Sequence, residues 1–326
     1  SGGLFHPISR EGALVLNNLF LTTAAATVLV GTLYPLVVEA LSKDRISVGA
    51  PFFELTFVPL MVPLLFAVPF GPMLAWKRGD LYAAGQRLFA AFAGALLVGM
   101  CVLLLVDRTA VFAACGIGLA AWLLLGALTD LVLRSGIGSV PGNVAWRRFI
   151  GLPRSVFGTA LAHMGLGLTL LGIVSATTFQ GEKIVALNPG DNLTVSGYVL
   201  HFEGMKAAKG PNFTENRGVF DIISSGGVSL GKVVSSKRFF PARQMPTTEA
   251  GIRTFGLSQL YVSLGDPDAS GAMVVRAWWK PLVLLIWLGG VVMMLGAATS
   301  LLDRRLRVGA PSRRRKAVQE LARSPS

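Results

Sequence analysis

Three histidines, two cysteines and a few charges set inside apolar runs are the residues of this 326-residue chain whose types suit metal or proton chemistry. The most telling is His163, in Ala160-Leu161-Ala162-His163-Met164-Gly165-Leu166-Gly167-Leu168. It falls about seven residues into an apolar run, roughly 10 Å from its start at the rise of an α-helix. A polar ring at that depth costs free energy unless it has a partner. Two partners fit equally on sequence: a bound ligand, or a hydrogen bond from a neighbouring helix. Gly158, Gly165, Gly167 and Gly172 strip side chains from the same helix, so a flat macrocycle or another helix can lie close to its backbone. Imidazole is an ordinary axial ligand of haem iron. His6, in Phe5-His6-Pro7, reads as a loop residue, and His201, in Tyr198-Val199-Leu200-His201-Phe202-Glu203, as a residue on a strand surface. Cys101 and Cys115 sit in apolar runs, form no CxxC, and behave as small apolar residues. Asp130, four residues before Arg134, reads as an i,i+4 ion pair near a helix end. No Ser-His-Asp set, phosphate-binding loop, paired membrane carboxylates or CxxCH occurs. A hydrolase, a nucleotide hydrolase, a proton pump and a c-type cytochrome are therefore unsupported.

The elements that must position His163 follow from hydropathy. Hydrophobic residues make up 52% of the chain and charged residues 14%, with a mean hydropathy of +0.61. Soluble domains carry roughly 25% charge, so this is an integral membrane protein. The net charge of +13 then points to anionic lipid rather than nucleic acid. Spanning about 30 Å of hydrocarbon takes roughly 20 apolar residues. Six runs qualify, at about 15–38, 56–76, 88–106, 111–133, 156–178 and 281–302. The second carries Pro59, Pro63, Pro69 and Pro72 and is expected to kink or break. Residues 1–178 thus form a membrane domain of five helices, with the sixth following at 281–302 and a basic tail at 303–326.

Residues 179–280, between the fifth and sixth spans, differ in character. Polar residues alternate with Val, Ile, Phe and Tyr, as in Leu193-Thr194-Val195 and Gly218-Val219-Phe220-Asp221-Ile222. Turn signals such as Asn188-Pro189-Gly190-Asp191 and Asp266-Pro267-Asp268 separate the runs. That spacing predicts a small all-β domain, barrel or sandwich, and periodicity does not choose between them. With residue 1 on the cytoplasmic side, the inside segments 1–14, 77–87, 134–155 and 303–326 carry 1, 3, 4 and 8 Lys/Arg. The short outside loops 39–55 and 107–110 carry 2 and 1. The positive-inside bias puts both ends of the segment in the cytoplasm and the β domain outside it. Trp278 and Trp279, before Lys280-Pro281, read as an aromatic anchor where the last helix enters the membrane. The cluster Lys237-Arg238-Phe239-Phe240-Pro241-Ala242-Arg243 reads as a solvated basic face or a partner surface.

Several stretches carry a resemblance. Leu14-Val15-Leu16-Asn17-Asn18, Gly31-Thr32-Leu33-Tyr34-Pro35-Leu36 and Ile46-Ser47-Val48-Gly49-Ala50-Pro51-Phe52-Phe53 resemble the C-terminal half of the CcmF/NrfE family, subunits of the cytochrome c haem lyase. Ala162-His163-Met164-Gly165 resembles that family's intramembrane histidine, and Trp279-Lys280-Pro281 with Trp287-Leu288-Gly289-Gly290 its last span. The likeness runs over nearly the whole chain. It implies a part in attaching haem to the CxxCH motif of apocytochrome c, in a bacterial inner membrane. It also implies that His163 is an axial ligand of an intramembrane haem b, with transferred haem as substrate. The partners implied are other maturation subunits, a haem-carrying chaperone and apocytochrome c. The family's tryptophan-rich haem-handling segment, its second haem b histidine and its two external histidines lie upstream of these stretches; His6 and His201 match none of them. The start at Ser1, with no signal peptide, suggests the C-terminal part of a longer or split subunit, inactive by itself. Two rival readings are a non-catalytic assembly scaffold of the same complex and, with less support, a secondary transporter.

Overall fold

Ser9 starts the first helix: its Oγ accepts from Gly12 N at 3.0 Å, filling one of the donors left open at a helix N-terminus. In this computed structural model, which describes residues 6–42, 46–106, 109–242 and 244–303, helix α1 then runs Arg10–Ser42. Helix α2 (Ala50–Ala67) opens with Pro51 in its first turn, where a missing N–H costs nothing. It continues through Pro59 and Pro63 and tightens into a 3-10 stretch at Val68–Met73, so the expected break falls at the Pro69–Pro72 pair. Trp122 repairs that point, its indole N–H donating to the Phe66 carbonyl at 2.9 Å. The same ring stacks on Phe66 at 5.5 Å and meets Phe70 and Phe92. Asp80 caps α3 (Leu81–Cys101), its Oδ1 accepting from Ala83 N at 3.0 Å. A π turn at Val102–Val106 extends α3.

Helix α4 (Val111–Ser135) is followed by a short helix, α5 (Gly142–Ile150), which hydropathy did not signal. Helix α6 (Arg154–Thr178) precedes the β strands and α7 (Leu284–Leu301) follows them. Six of these helices, all but α5, are long and apolar enough to cross a membrane. The basic tail beyond Asp303 lies outside the described residues.

The chain divides into two units. In the first, which holds α1 to α3 and the parts of α4, α6 and α7 within 118–167 and 289–303, backbone approach is the organising feature. A Cβ on Gly158 would sit 2.5 Å from the Gly296 carbonyl of α7, and one on Gly165 2.6 Å from the Gly289 carbonyl. One on Gly296 would meet the Ala162 nitrogen at 2.7 Å. Gly167 instead faces α4, with the Ala120 carbonyl 3.1 Å from its added Cβ. These glycines let α6 pack on α7 and α4, the helix-packing use of small residues. At the end of α7, Asp303 accepts from Ser155 N at 3.0 Å and caps the start of α6.

The second unit contains a β-sandwich. Its strands are β1 (Gly181–Leu187), β2 (Asn192–Val195), β3 (Tyr198–Lys209), β4 (Thr214–Ser224), β5 (Ser229–Phe240), β6 (Met245–Glu249), β7 (Gly251–Phe255), β8 (Ser258–Pro267) and β9 (Met273–Lys280). They form two antiparallel sheets, β1-β9-β8-β7 and β2-β3-β4-β5-β6. Alternation supplies the core: Leu200 and Phe202 of β3, Phe220 and Ile222 of β4, Leu260, Val262 and Leu264 of β8, Val275 and Ala277 of β9. Phe202 and Phe220 stack at 4.9 Å. A bulge between Phe202 and Gly204 re-aims β3, and Gly204 takes φ +117 there, where a side chain would be strained.

Trp278 and Trp279 belong to β9. Trp279 packs on Tyr198 at 4.9 Å, against the sandwich core, and Trp278 lies under Arg276. The expected aromatic membrane anchor is therefore, for Trp279, a sandwich residue. The approach to α7 is tied to the same unit, with Leu282 N donating to Ser258 Oγ and Leu284 N to the Leu257 carbonyl, each at 3.1 Å.

One buried charge sits on this sandwich. The Glu215 side chain is 1% exposed and pairs with Arg217 at 2.5 Å and Arg238 at 3.0 Å. Ser236 Oγ donates to it at 2.8 Å. These donors, the Arg238 bond foremost, hold its carboxyl down to about 2. Arg238 also reaches Glu249 at 3.1 Å and lies over Phe213.

Two outcomes follow. Gly158→Val or Gly296→Val forces side chain against backbone, so each lowers unfolding stability in detergent by about 2 kcal/mol or more; thermal melts of the purified protein check this. Because Glu215 is depressed when folded, its stabilisation is full above the ordinary value of 4.5 and fades as pH falls toward about 2. Urea midpoints measured from pH 6 to pH 3 fall less steeply in Glu215→Gln than in the unchanged protein, although that variant starts lower.

Candidate functional site

Thr159 and His163, one turn apart on α6, share a face distinct from the one that Gly158 and Gly165 give to α7. That leftover face opens on a cleft of about 340 Å³. Its other walls are Arg10, Ala13, Leu14, Leu16 and Asn17 of α1, with Leu64, Ala67, Val68, Gly71 and Pro72 at the end of α2 and its 3-10 extension. The prolines and Gly71 shape that wall, since a Cβ added to Gly71 meets no atom within 4 Å.

The polar groups of the cleft differ in how they are satisfied. Thr159 Oγ1 donates to its own helix, to the Ser155 carbonyl at 2.9 Å, as intrahelical hydroxyls commonly do. Asn17 shares a 3.4 Å bond with Asn18. Arg10 lies over the Trp76 ring at 4.9 Å. His163 is half-buried, and neither of its ring nitrogens has a hydrogen-bond partner among the described residues. A hydrogen bond from a neighbouring helix, one of the two partners open on sequence, is thus not made among them.

The other candidates are occupied locally. His6 precedes α1, and its Nδ1 accepts from Ile8 N at 3.2 Å. His201, on β3, shares a 2.8 Å hydrogen bond with Asn192 Oδ1. Asp130 and Arg134 form the expected pair at 2.7 Å. Cys101 and Cys115 are free thiols, and no group of three or more metal-ligating side chains occurs among the described residues. Within the basic cluster, Lys237 pairs with Asp266, and Arg238 with Glu215 and Glu249. Its two described cations are spoken for by acids of the sandwich, and Arg243 lies outside the described residues.

Glycine use was open on sequence. Gly158 and Gly165 serve α7, and Gly167 serves α4, so the glycines shape helix packing rather than the cleft itself. Arg10 and Thr159 were missed. Their signal was positional: Arg10, Ala13 and Asn17 fall on one helical face, as do Thr159 and His163.

Comparison with known proteins bears on the family of the chain. A family model described as the CcmF C-terminal beta-sandwich matches residues 178–281. A cytochrome c-type biogenesis protein CycK of Rhizobium meliloti (strain 1021) is 63% identical over 318 residues, 98% of this chain and 47% of that one. The cytochrome c-type biogenesis protein CcmF of Escherichia coli (strain K12) is 32% identical over 301 residues, 92% of this chain and 44% of that one. Among solved structures, a chain described as cytochrome c heme lyase CcmF superposes with a TM-score of 0.66 at 26% identity, covering 91% of this chain and 46% of that one. The chain spans about half the length of the relatives it matches. With six apolar helices and a β-sandwich before the last of them, this multi-pass membrane protein belongs to the CcmF/NrfE family of cytochrome c-type biogenesis proteins.

Proposed function

We propose that this chain is the C-terminal part of a membrane haem lyase subunit that attaches haem to the CxxCH motif of apocytochrome c, and that His163 is an axial ligand of an intramembrane haem b. The observation that carries the ligand assignment is an imidazole with no hydrogen-bond partner among the described residues, in an apolar span and lining a cleft. Such a ring is expensive in hydrocarbon unless something ligates it. The residues present fit the group: one nitrogen donor, apolar walls from α1 and α2, and a cation at Arg10. A second ligand for such a group would have to come from outside this chain. When bound, haem b supplies one-electron chemistry.

The chain's own residues do the positioning. His163 would offer a ring nitrogen lone pair to the metal. Gly158, Gly165 and Gly167 let its helix lie against α7 and α4, which leaves the His163 face of the helix on the cleft. Ala13, Leu14 and Leu16 of α1, with the end of α2, would keep water from such a group. In the attachment reaction the substrate is a second haem. A cysteine thiol adds across a vinyl group, its sulfur bonding to one vinyl carbon and its proton going to the other, so no electrons are gained or lost. Haem and apocytochrome meet outside the cytoplasm, where the positive-inside bias puts the sandwich. There the sandwich docks other maturation subunits, a haem-carrying chaperone and apocytochrome c. The membrane is the bacterial inner membrane, with both ends of this segment cytoplasmic.

The test uses the intact, full-length subunit. In His163→Ala the b-type haem content of the purified protein falls to near background, and the reduced absorption band of the six-coordinate haem is lost. His201→Ala keeps both. Unchanged haem content and an unchanged band in His163→Ala would falsify the assignment.

A further inference from the structure

We propose that Arg10 receives a propionate of the macrocycle ligated by His163, an inference that rests on the haem reading above. Arg10 and His163 come from different helices yet line the same cleft. Arg10 stands in the first turn of α1, while His163 lies about two and a half turns into α6, so the cleft joins an iron ligand to a cation at a helix end. Haem b has that shape: an apolar plate with iron at its centre and two carboxylates on one edge.

The guanidinium is uncommitted where commitment would be expected. Among the described residues it has no acid partner, and the neighbouring carboxylate, Glu11, accepts instead from Lys77 N at 2.8 Å. Arg10 is nonetheless held. Its N–H donates to the Ala75 carbonyl at 3.0 Å, and its guanidinium lies over the Trp76 ring. The chain before it is laced to the same loop, with Gly79 N donating to the Ile8 carbonyl at 2.7 Å and His6 N to the Lys77 carbonyl at 3.0 Å. A cation fixed by a ring and a backbone bond, and left unneutralised, is pre-organised for a carboxylate; the planar guanidinium offers it a two-pronged contact. Asn17, on the same face of α1, also lines the cleft and adds a hydrogen-bonding group to it. The rival role for Arg10 is to snorkel to lipid headgroups, and the same experiment separates the two.

The experiment compares Arg10→Gln and Arg10→Lys with the unchanged, full-length subunit, using redox titration of the haem band and haem retention in detergent. An unpaired propionate leaves negative charge near the iron and favours the ferric form, so Arg10→Gln shifts the midpoint potential down. It also weakens haem retention by on the order of tenfold, the size of a lost charge-assisted bond, while keeping the six-coordinate spectrum. Arg10→Lys restores part of the potential. In a second arm, haem-stripped unchanged protein takes up protohaem in preference to its dimethyl ester, which lacks the carboxylates. This arm decides the matter if Arg10→Gln does not accumulate. Equal uptake of acid and ester, or an unshifted potential with full retention in Arg10→Gln, overturns the proposal and leaves Arg10 to lipid. If His163→Ala loses haem while Arg10→Gln matches the unchanged protein, this proposal alone fails. If His163→Ala keeps its haem, both fall together.

Discussion

Hydrocarbon offers a polar atom no water, so each one within a span must find a partner in protein or ligand. The helices of this chain meet that constraint in detail. Thr23, Thr27, Thr129 and Thr159 each donate to the carbonyl four residues earlier, at 2.8 to 2.9 Å. Asp130 pairs with Arg134 one turn on, and Trp122 gives its N–H to the carbonyl of Phe66 beside the proline-interrupted end of α2. His163 stands apart from these groups, half-buried, on a cleft wall, with no hydrogen-bond partner among the described residues. The functional reading starts from that contrast, because the same physics that settles the hydroxyls leaves the imidazole with a donor atom to spend.

The aim of that ring depends on backbone contact rather than on side chains near it. Gly158 and Gly165 let α6 lie against α7 closely enough that an added Cβ would collide with carbonyl oxygens. Gly167 does the same toward α4. With two faces of α6 consumed in this way, the face carrying Thr159 and His163 is the one left over. Asp303 caps α6 from the end of α7 and so ties the two helices at that end as well. Precision at the candidate ligand is therefore set by positions that bear no functional group.

Hydropathy alone made the six apolar helices and the β insert before the last one legible, since long runs and strict alternation are strong periodic signals. What it left open were matters of three-dimensional pairing. Sandwich and barrel share one alternation pattern, and only the two separate ladders decide between them. The glycines of α6 read equally as macrocycle clearance or helix contact, because a missing side chain does not say what fills the space. Trp279 looked like a membrane anchor by its place before Lys280-Pro281, yet tertiary packing draws it onto Tyr198 and Phe255. Lys237 and Arg238 looked like a free basic face because their acid partners, Asp266, Glu215 and Glu249, are distant in sequence. As a candidate, His163 stood out from its surroundings in the sequence, whereas Arg10 did not, since an arginine at a helix start is ordinary until the cleft it lines is known.

Two arginines show how differently one side chain is used here. Arg238 answers a buried glutamate, reaches a second acid and covers a ring, and the cost of burying charge is met by mutual satisfaction. Arg10 has the ring and the backbone tether but no acid among the described residues. A structural ion pair is complete within the chain that builds it. A recognition cation has to be held firmly and left incomplete, because neutralising it in advance would cancel its attraction for the group it is meant to meet. Among the described residues Arg10 meets both conditions, and His163 meets the analogous pair: a braced helix and ring nitrogens without a hydrogen-bond partner. Both residues line one cleft, and on the proposed reading that shared placement joins a candidate metal ligand to a candidate carboxylate receptor.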